Sequence, residues 1–120
     1  NLALEPVAID KKLQLEDVNW ETYKIIEKLA PFGVGNPKPL FLFEKIMLRE
    51  WKLFGKEKNH LELCFFTNED KKVSAISFFA SAQMRERLVL GMSINLVATL
   101  EKSMFRNYPE LRLRVVDVIV

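Results

Sequence analysis

The stretch Leu29-Ala30-Pro31-Phe32-Gly33-Val34-Gly35-Asn36-Pro37-Lys38-Pro39-Leu40-Phe41 divides the chain into two kinds of pattern. Before it, apolar residues recur at helical spacing. After it, they alternate in the manner of strands. Its three prolines and two glycines cannot continue a helix, because proline lacks an N–H and crowds the preceding turn. Gly33 and Gly35 permit φ > 0 or close backbone approach. The stretch reads as a rigid elbow. A phosphate-cradle reading of Gly33-Val34-Gly35 fails, since the glycines follow a helix and no helix N-terminus points at an anion.

Working toward the N-terminus, Trp20, Tyr23, Ile25, Ile26, Leu29 and Ala30 predict a helix over residues 19–30 whose apolar stripe packs as core. Asp17 and Asn19 are both N-cap candidates. Residues 1–15 alternate loosely and are broken by Pro6, which suits an edge strand or a docking arm.

Working toward the C-terminus, residues 40–54 form a long strand-like run. Phe41 and Phe43 share one face while Ile46 and Leu48 share the other. A bulge at Glu44-Lys45 would turn all four inward, and a long bent first strand lets a small barrel join its two halves. Residues 55–59 read as a polar turn, 60–67 as a strand with Leu61, Leu63 and Phe65 on one face, and Asn68-Glu69-Asp70 as a turn. Residues 73–79 form a third strand. Ser81 caps a short helix over 82–88, and Gly91 ends it. Residues 93–101 alternate, residues 106–109 turn, and Leu111, Leu113 and Val115 face opposite Arg112, Arg114 and Val116. Three strands, a helix and two strands fit a five-stranded Greek-key barrel, expected to be antiparallel throughout. Pattern alone leaves an SH3-like or split barrel open.

At 120 residues the chain is one domain with, at most, an extra arm. Its 49% apolar and 28% charged content suits a globular core, and nine Phe with two Trp fill a small barrel. A net charge of +2 says little by itself about nucleic acid. The single cysteine excludes an internal disulfide and suits a reducing compartment. No apolar run spans a bilayer and no signal peptide is visible. The first residue is Asn1, so an excised piece of a longer protein is expected.

The elbow, with Gly55, the HLEL at residues 60–63, the AISFF at 75–79 and the LRLRVVDV at 111–118, resembles the C-terminal OB-fold domain of RecJ-type single-strand-specific exonucleases. The resemblance runs from about Pro6 to Val118. With the helix between strands three and four, it favours a mainly β chain. Residues 1–39 would be an N-terminal helical arm and elbow, and residues 40–120 a five-stranded OB barrel. It implies a bacterial, cytoplasmic, nucleoid-associated parent that degrades single-stranded DNA 5′→3′ in repair and recombination. The family's nuclease holds Mn²⁺ or Mg²⁺ on Asp and His clusters that include a DHH motif. Nothing in this sequence matches that motif, so the metal is expected in a catalytic core outside it.

The remaining chemistry is binding. His60 is the sole histidine, and Asp10, Asp17, Asp70 and Asp117 are scattered, whereas a metal site needs convergent ligands. His60 and Cys64 share a strand face, but a nucleophile pair also needs an orienting group and a pocket. OB folds hold single strands by stacking bases on aromatic rings and tracking phosphates with Lys and Arg. Their binding surface is the face of strands two and three with two flanking loops. Here the first loop region offers Arg49, Trp51, Lys52, Phe54, Lys56, Lys58 and His60. The second offers Lys102, Phe105, Arg106, Asn107 and Tyr108, and Arg112 and Arg114 project from the last strand. Trp51, Phe54 and Tyr108 are the stacking candidates; core packing at the barrel mouth is the competing reading for Trp51 and Phe54. The expected partners are single-stranded DNA and the parent's catalytic domains. The alternative is a protein-interaction module that docks a helicase or a single-strand-binding protein through residues such as Phe66 or Met104.

Overall fold

The structure, a computed structural model, describes residues 9–80, 82–105 and 107–120. The expected reading of residues 1–8, the Ser81 cap and Arg106 lie outside the described residues. The elements in order are β1 (Lys11–Lys12), a 3-10 turn (Leu15–Asp17), α1 (Trp20–Glu27), β2 (Phe41–Met47), β3 (Glu50–Phe54), β4 (His60–Phe66), β5 (Lys72–Ser77), α2 (Ala82–Glu86), β6 (Ser93–Phe105) and β7 (Tyr108–Ile119). The fold is mainly β and OB-like. Its strands form one sheet in the order β1-β2-β6-β7-β5-β4-β3.

Of the two N-cap candidates, Asn19 caps the helix and Asp17 does not. The Asn19 carboxamide oxygen accepts from the Thr22 N–H at 2.8 Å and opens α1. Asp17 instead closes a capping box with Gln14 on the 3-10 turn. The helix ends at Glu27, not at Ala30. Leu29 and Ala30 N–H groups bond three residues back, to Ile26 and Glu27 carbonyls, and Pro31 bars Ala30 from continuing the helix. In two turns only a narrow stripe faces inward. Ile26 is buried and Tyr23 half-buried, while Trp20, Ile25 and Leu29 are exposed. The expected core role therefore holds for two of the five large apolar residues. In the elbow, Gly33 and Asn36 exchange backbone hydrogen bonds. The Asn36 side-chain NH₂ donates to the Leu29 and Pro31 carbonyls, each at 2.7 Å, which ties the elbow to the end of the helix.

The expected first strand is two strands with a bulge and a bend. Pairing with β6 slips between Phe43 and Ile46; Lys45 takes φ 53°, and its N–H donates to the Asn95 side chain at 2.9 Å. Phe41, Phe43, Ile46 and Leu48 consequently all face the core. At the bend, the Leu48 N–H bonds the Met92 carbonyl, and the next N–H, that of Arg49, bonds the Cys64 carbonyl. The chain there passes from β6 to β4, joining the two halves of the barrel. A further departure from five strands is β1, which adds two residues at the edge of β2, in parallel.

The barrel is not antiparallel throughout. β5 and β7 pair in parallel, Ala75 with Leu113 and Ile76 with Arg114. With β2 and β3 continuous, the ring has an odd number of strand positions, and directions cannot alternate all the way round an odd ring. The two last strands are also longer than their alternation suggests, and they meet in a tight turn in which Asn107 takes φ 65°. The core holds Phe43, Leu48, Leu61, Leu63, Phe65, Leu96 and Leu113, together with Leu15 from the N-terminal segment and Ile26 from α1.

Candidate nucleic-acid interface

Strand pairing fixes which side chains share the outer face of the barrel. Phe54 lies opposite His60, Lys52 opposite Glu62, Glu62 opposite Ile76, Ile76 opposite Arg114, and Arg112 opposite Glu101. Directly paired residues point to the same side. Leu61, Leu63, Ala75 and Leu113, at the alternate positions, point into the core. One outer face thus runs from β3 across β4 and β5 to β7 and β6.

At one end of that face sits an aromatic and cationic cluster. The His60 ring lies 5.3 Å from Phe54, 5.0 Å from Phe78 and 4.7 Å from Phe79, centroid to centroid. The Arg114 guanidinium stacks 4.5 Å from the Phe78 ring and that of Arg112 lies 5.8 Å from it. His60 Nδ1 accepts from the Phe79 N–H at 3.1 Å, which orients the ring. Gly55 lies against the same ring: a Cβ there would stand 2.5 Å from His60 Cδ2, and its φ is +91°. The turn carrying Lys56 and Lys58 is held to the cluster through the Ala80 N–H, which bonds the Asn59 carbonyl at 2.8 Å.

Acidic residues set the charge on this face. Glu62 pairs with Lys52 at 3.2 Å and with Lys72 at 4.0 Å. Burial pushes its carboxyl up, but hydrogen bonds from Ser74 and Lys52 and the charges of Lys52 and Lys72 outweigh that and leave it below the usual glutamate range. Glu101 Oε2 accepts from Arg112 Nε and, at 3.3 Å, from an Arg114 Nη. His60 and Cys64 do share the face, yet four residues of strand set their backbones about 13 Å apart. Burial pushes the Cys64 thiol up, away from the thiolate, so the two do not form a nucleophile–base pair.

The structure therefore brings Phe54, His60, Arg112 and Arg114 into one cluster, with Lys52 on the same face and Lys56 and Lys58 exposed beside it. Arg49 stands at the far end of β4, 5.4 Å from the Phe66 ring. Tyr108, exposed, is at the tip of the β6–β7 hairpin, and Lys102 lines a cleft between that hairpin and α1. Trp51 is not with them. It pairs with Leu63 on the core side of β3 and packs against the buried cluster, so it does not stand on the outer face with Phe54. Sequence reasoning missed Phe78, Phe79 and Lys72. A signal for the first two was present: adjacent phenylalanines at a strand end cannot both point inward.

The sequence model of the RecJ OB domain matches residues 9–117. The chain belongs to the RecJ OB domain family. It is 27% identical over 112 residues to the single-stranded-DNA-specific exonuclease RecJ of Bacillus subtilis (strain 168), covering 93% of this chain and 14% of that protein. The crystal structure of RecJ with Mg²⁺ from Thermus thermophilus superposes with a TM-score of 0.70 at 21% identity, over 95% of this chain and 17% of that one. The SSB domain of a Synechococcus protein gives 0.52 at 15% identity, over 68% of this chain and 93% of that domain; these two likenesses establish the OB-like fold. This RecJ OB domain thus spans about a sixth or less of its RecJ relatives. The Thermus thermophilus protein was crystallised with Mg²⁺ and with Mn²⁺. Among the described residues of this chain, no group of three or more His, Cys, Asp or Glu is placed to hold a metal ion, so no metal chemistry is assigned to it. Also among the described residues, no helix is long and apolar enough to cross a membrane.

Proposed function

We propose that this domain is the single-stranded-DNA-binding module of a RecJ-like 5′→3′ exonuclease, holding the strand for a metal-dependent catalytic core outside this sequence. The observation that carries the reading is the outer-face cluster, where the rings of Phe54, His60 and Phe78 and the guanidiniums of Arg112 and Arg114 occupy one patch. Rings of this kind stack bases, and guanidiniums both stack and take phosphate oxygens. Lys52, Lys56 and Lys58 border the patch, Arg49 and Tyr108 extend it along the face and hairpin, and Lys102 stands beside it in the cleft next to α1. In this reading residues 40–120 are the binding barrel, and Leu15 and Ile26 from the preceding segment brace it. Trp51 is assigned to the fold and not to the DNA.

A titration of labelled single-stranded oligonucleotide with this chain, repeated over a salt series, tests the proposal. Affinity should fall steeply with salt as counterions are released, with a slope of about −0.7 per phosphate contact. Lys56→Ala with Lys58→Ala should flatten the slope by about 1.4 if both lysines touch phosphate. No binding at low salt would sink the DNA reading, and binding indifferent to salt would remove the phosphate contacts from it.

A further inference from the structure

Beyond its pairing with β2, which ends at Ala98, β6 continues from Thr99 with β7 on one side. On its other side lies a cleft of about 290 Å³ bounded by α1 and the elbow. Lys38, Lys102, Arg112 and Arg114 line it, against the carboxylates of Glu27 and Glu101. Glu27 is already engaged by the Tyr23 hydroxyl, so Glu101 is the carboxylate that faces the arginines. Both arginines reach the same oxygen of that carboxylate, Oε2. A guanidinium carries five N–H donors in a planar fork, so one shared oxygen uses a small part of what the pair offers. Arg114 Nε is buried with no hydrogen-bond partner among the described residues. Lys38 forms no ion pair among them either. The cleft thus carries more cationic donors than its own carboxylates satisfy, and it is continuous with the Phe78 cluster through Arg112 and Arg114.

We propose that this cleft is a phosphate subsite on the path of the single strand, in which a phosphodiester displaces Glu101 from the Arg112–Arg114 pair. The inference rests on the DNA-binding reading above. Glu101 then acts as a placeholder. It keeps the two cations from repelling each other in the free domain, and it competes with the incoming phosphate for the same donors. A phosphodiester has two free oxygens and matches a guanidinium fork, which a single carboxylate oxygen does not. Lys38 distinguishes this site from the outer face, since it comes from the elbow.

The test uses anisotropy of labelled oligo-dT with the parent chain, Glu101→Gln, Lys38→Gln and Phe78→Ala, each over a salt series, with thermal unfolding of every variant. Glu101→Gln removes a competing charge and should bind at least about fivefold tighter at low salt, the factor for losing one like charge about 4 Å away at the dielectric of water, a lower bound for a carboxylate that is largely covered. Lys38→Gln, an exposed change that leaves folding intact, should bind more weakly and flatten the salt slope by about 0.7. Affinity in Glu101→Gln that is unchanged or weaker with the fold retained, or a parental slope in Lys38→Gln, overturns the subsite. If Glu101→Gln fails to fold, the Lys38→Gln slope alone decides. If the parent binds and Phe78→Ala weakens it while both cleft variants behave like the parent, the DNA reading stands and only the subsite falls. If the parent itself binds no oligonucleotide, both fall.

Discussion

Replacing Gly55 with alanine should cost far more than its position in a polar turn suggests. Two terms oppose the substitution. At φ +91° an L-residue is strained, by about 1–2 kcal/mol. The new Cβ would also sit 2.5 Å from His60 Cδ2 and 3.2 Å from Nε2, so the imidazole must retreat by most of an ångström. It has little freedom to do so, because the Phe79 N–H holds Nδ1 and three phenylalanine rings surround it. Losing that hydrogen bond costs about 1 kcal/mol, and loosening the ring contacts adds about 0.5 kcal/mol. The lower entropy of alanine in the unfolded chain returns about 0.4–1 kcal/mol. The net is a loss of about 1.5–3 kcal/mol, or about 6–12 °C in Tm for a domain of this size. Gly35→Ala is the control: its φ is +86° but nothing lies within 4 Å of its added Cβ, so only the backbone term applies. Urea or thermal unfolding of Gly55→Ala, Gly35→Ala and Gly55→Ala/His60→Ala measures the difference. With His60→Ala measured alongside, the double variant should cost less than the sum of the two single changes, because both lose the same imidazole contacts. If Gly55→Ala is no more costly than Gly35→Ala, the close packing of turn against imidazole is wrong.

Phe78→Ala should weaken oligonucleotide binding of the folded protein by about 1–3 kcal/mol and, because the ring packs on Phe54, His60 and two guanidiniums, lower stability by only about 1 kcal/mol. Trp51→Ala should do the reverse, lowering stability by about 2 kcal/mol or more and leaving the affinity of the folded fraction within about twofold; a selective loss of binding would return Trp51 to the outer face. Glu62 has a lower pKa folded than unfolded, so it stabilises the domain above the ordinary glutamate value of about 4.3 and loses that contribution as pH falls through the folded value. Glu62→Gln should therefore flatten the acid limb of the stability curve below about pH 4, and an unchanged limb contradicts the assignment. The isolated domain should digest no DNA with Mn²⁺ or Mg²⁺; digestion abolished by a substitution within this chain would refute that.

What the sequence made legible depended on whether local signals set the phase of a strand. The bulge at Glu44-Lys45 was readable because Phe43 and Ile46 fall out of step within four residues. The side occupied by Trp51 was not. The phase slips a second time between Leu48 and Trp51, where the strand changes partner from Met92 to Cys64. With Trp51, Leu53 and Phe54 all apolar, alternation favours neither side. The Phe78 patch was hidden for a related reason: it is assembled from β3, β4, β5 and β7, and its register comes from a parallel pairing of residues far apart in the chain, Ala75 with Leu113. Apolar spacing alone predicts too long a helix because Leu29 and Ala30 continue it, while Pro31 and the Asn36 side chain decide where it stops.

The position of the only histidine gives the domain a built-in spectroscopic probe. The His60 ring is edge-on to Phe78 and Phe79 and tilted against Phe54, so its carbon-bound protons lie in the ring currents of three neighbours. They will resonate as the single imidazole pair of the chain, displaced from the positions of a solvated imidazole. A nucleobase stacked on Phe78, as proposed, would alter those currents directly, and a proton spectrum would then report occupancy of the face without a label or a mutation.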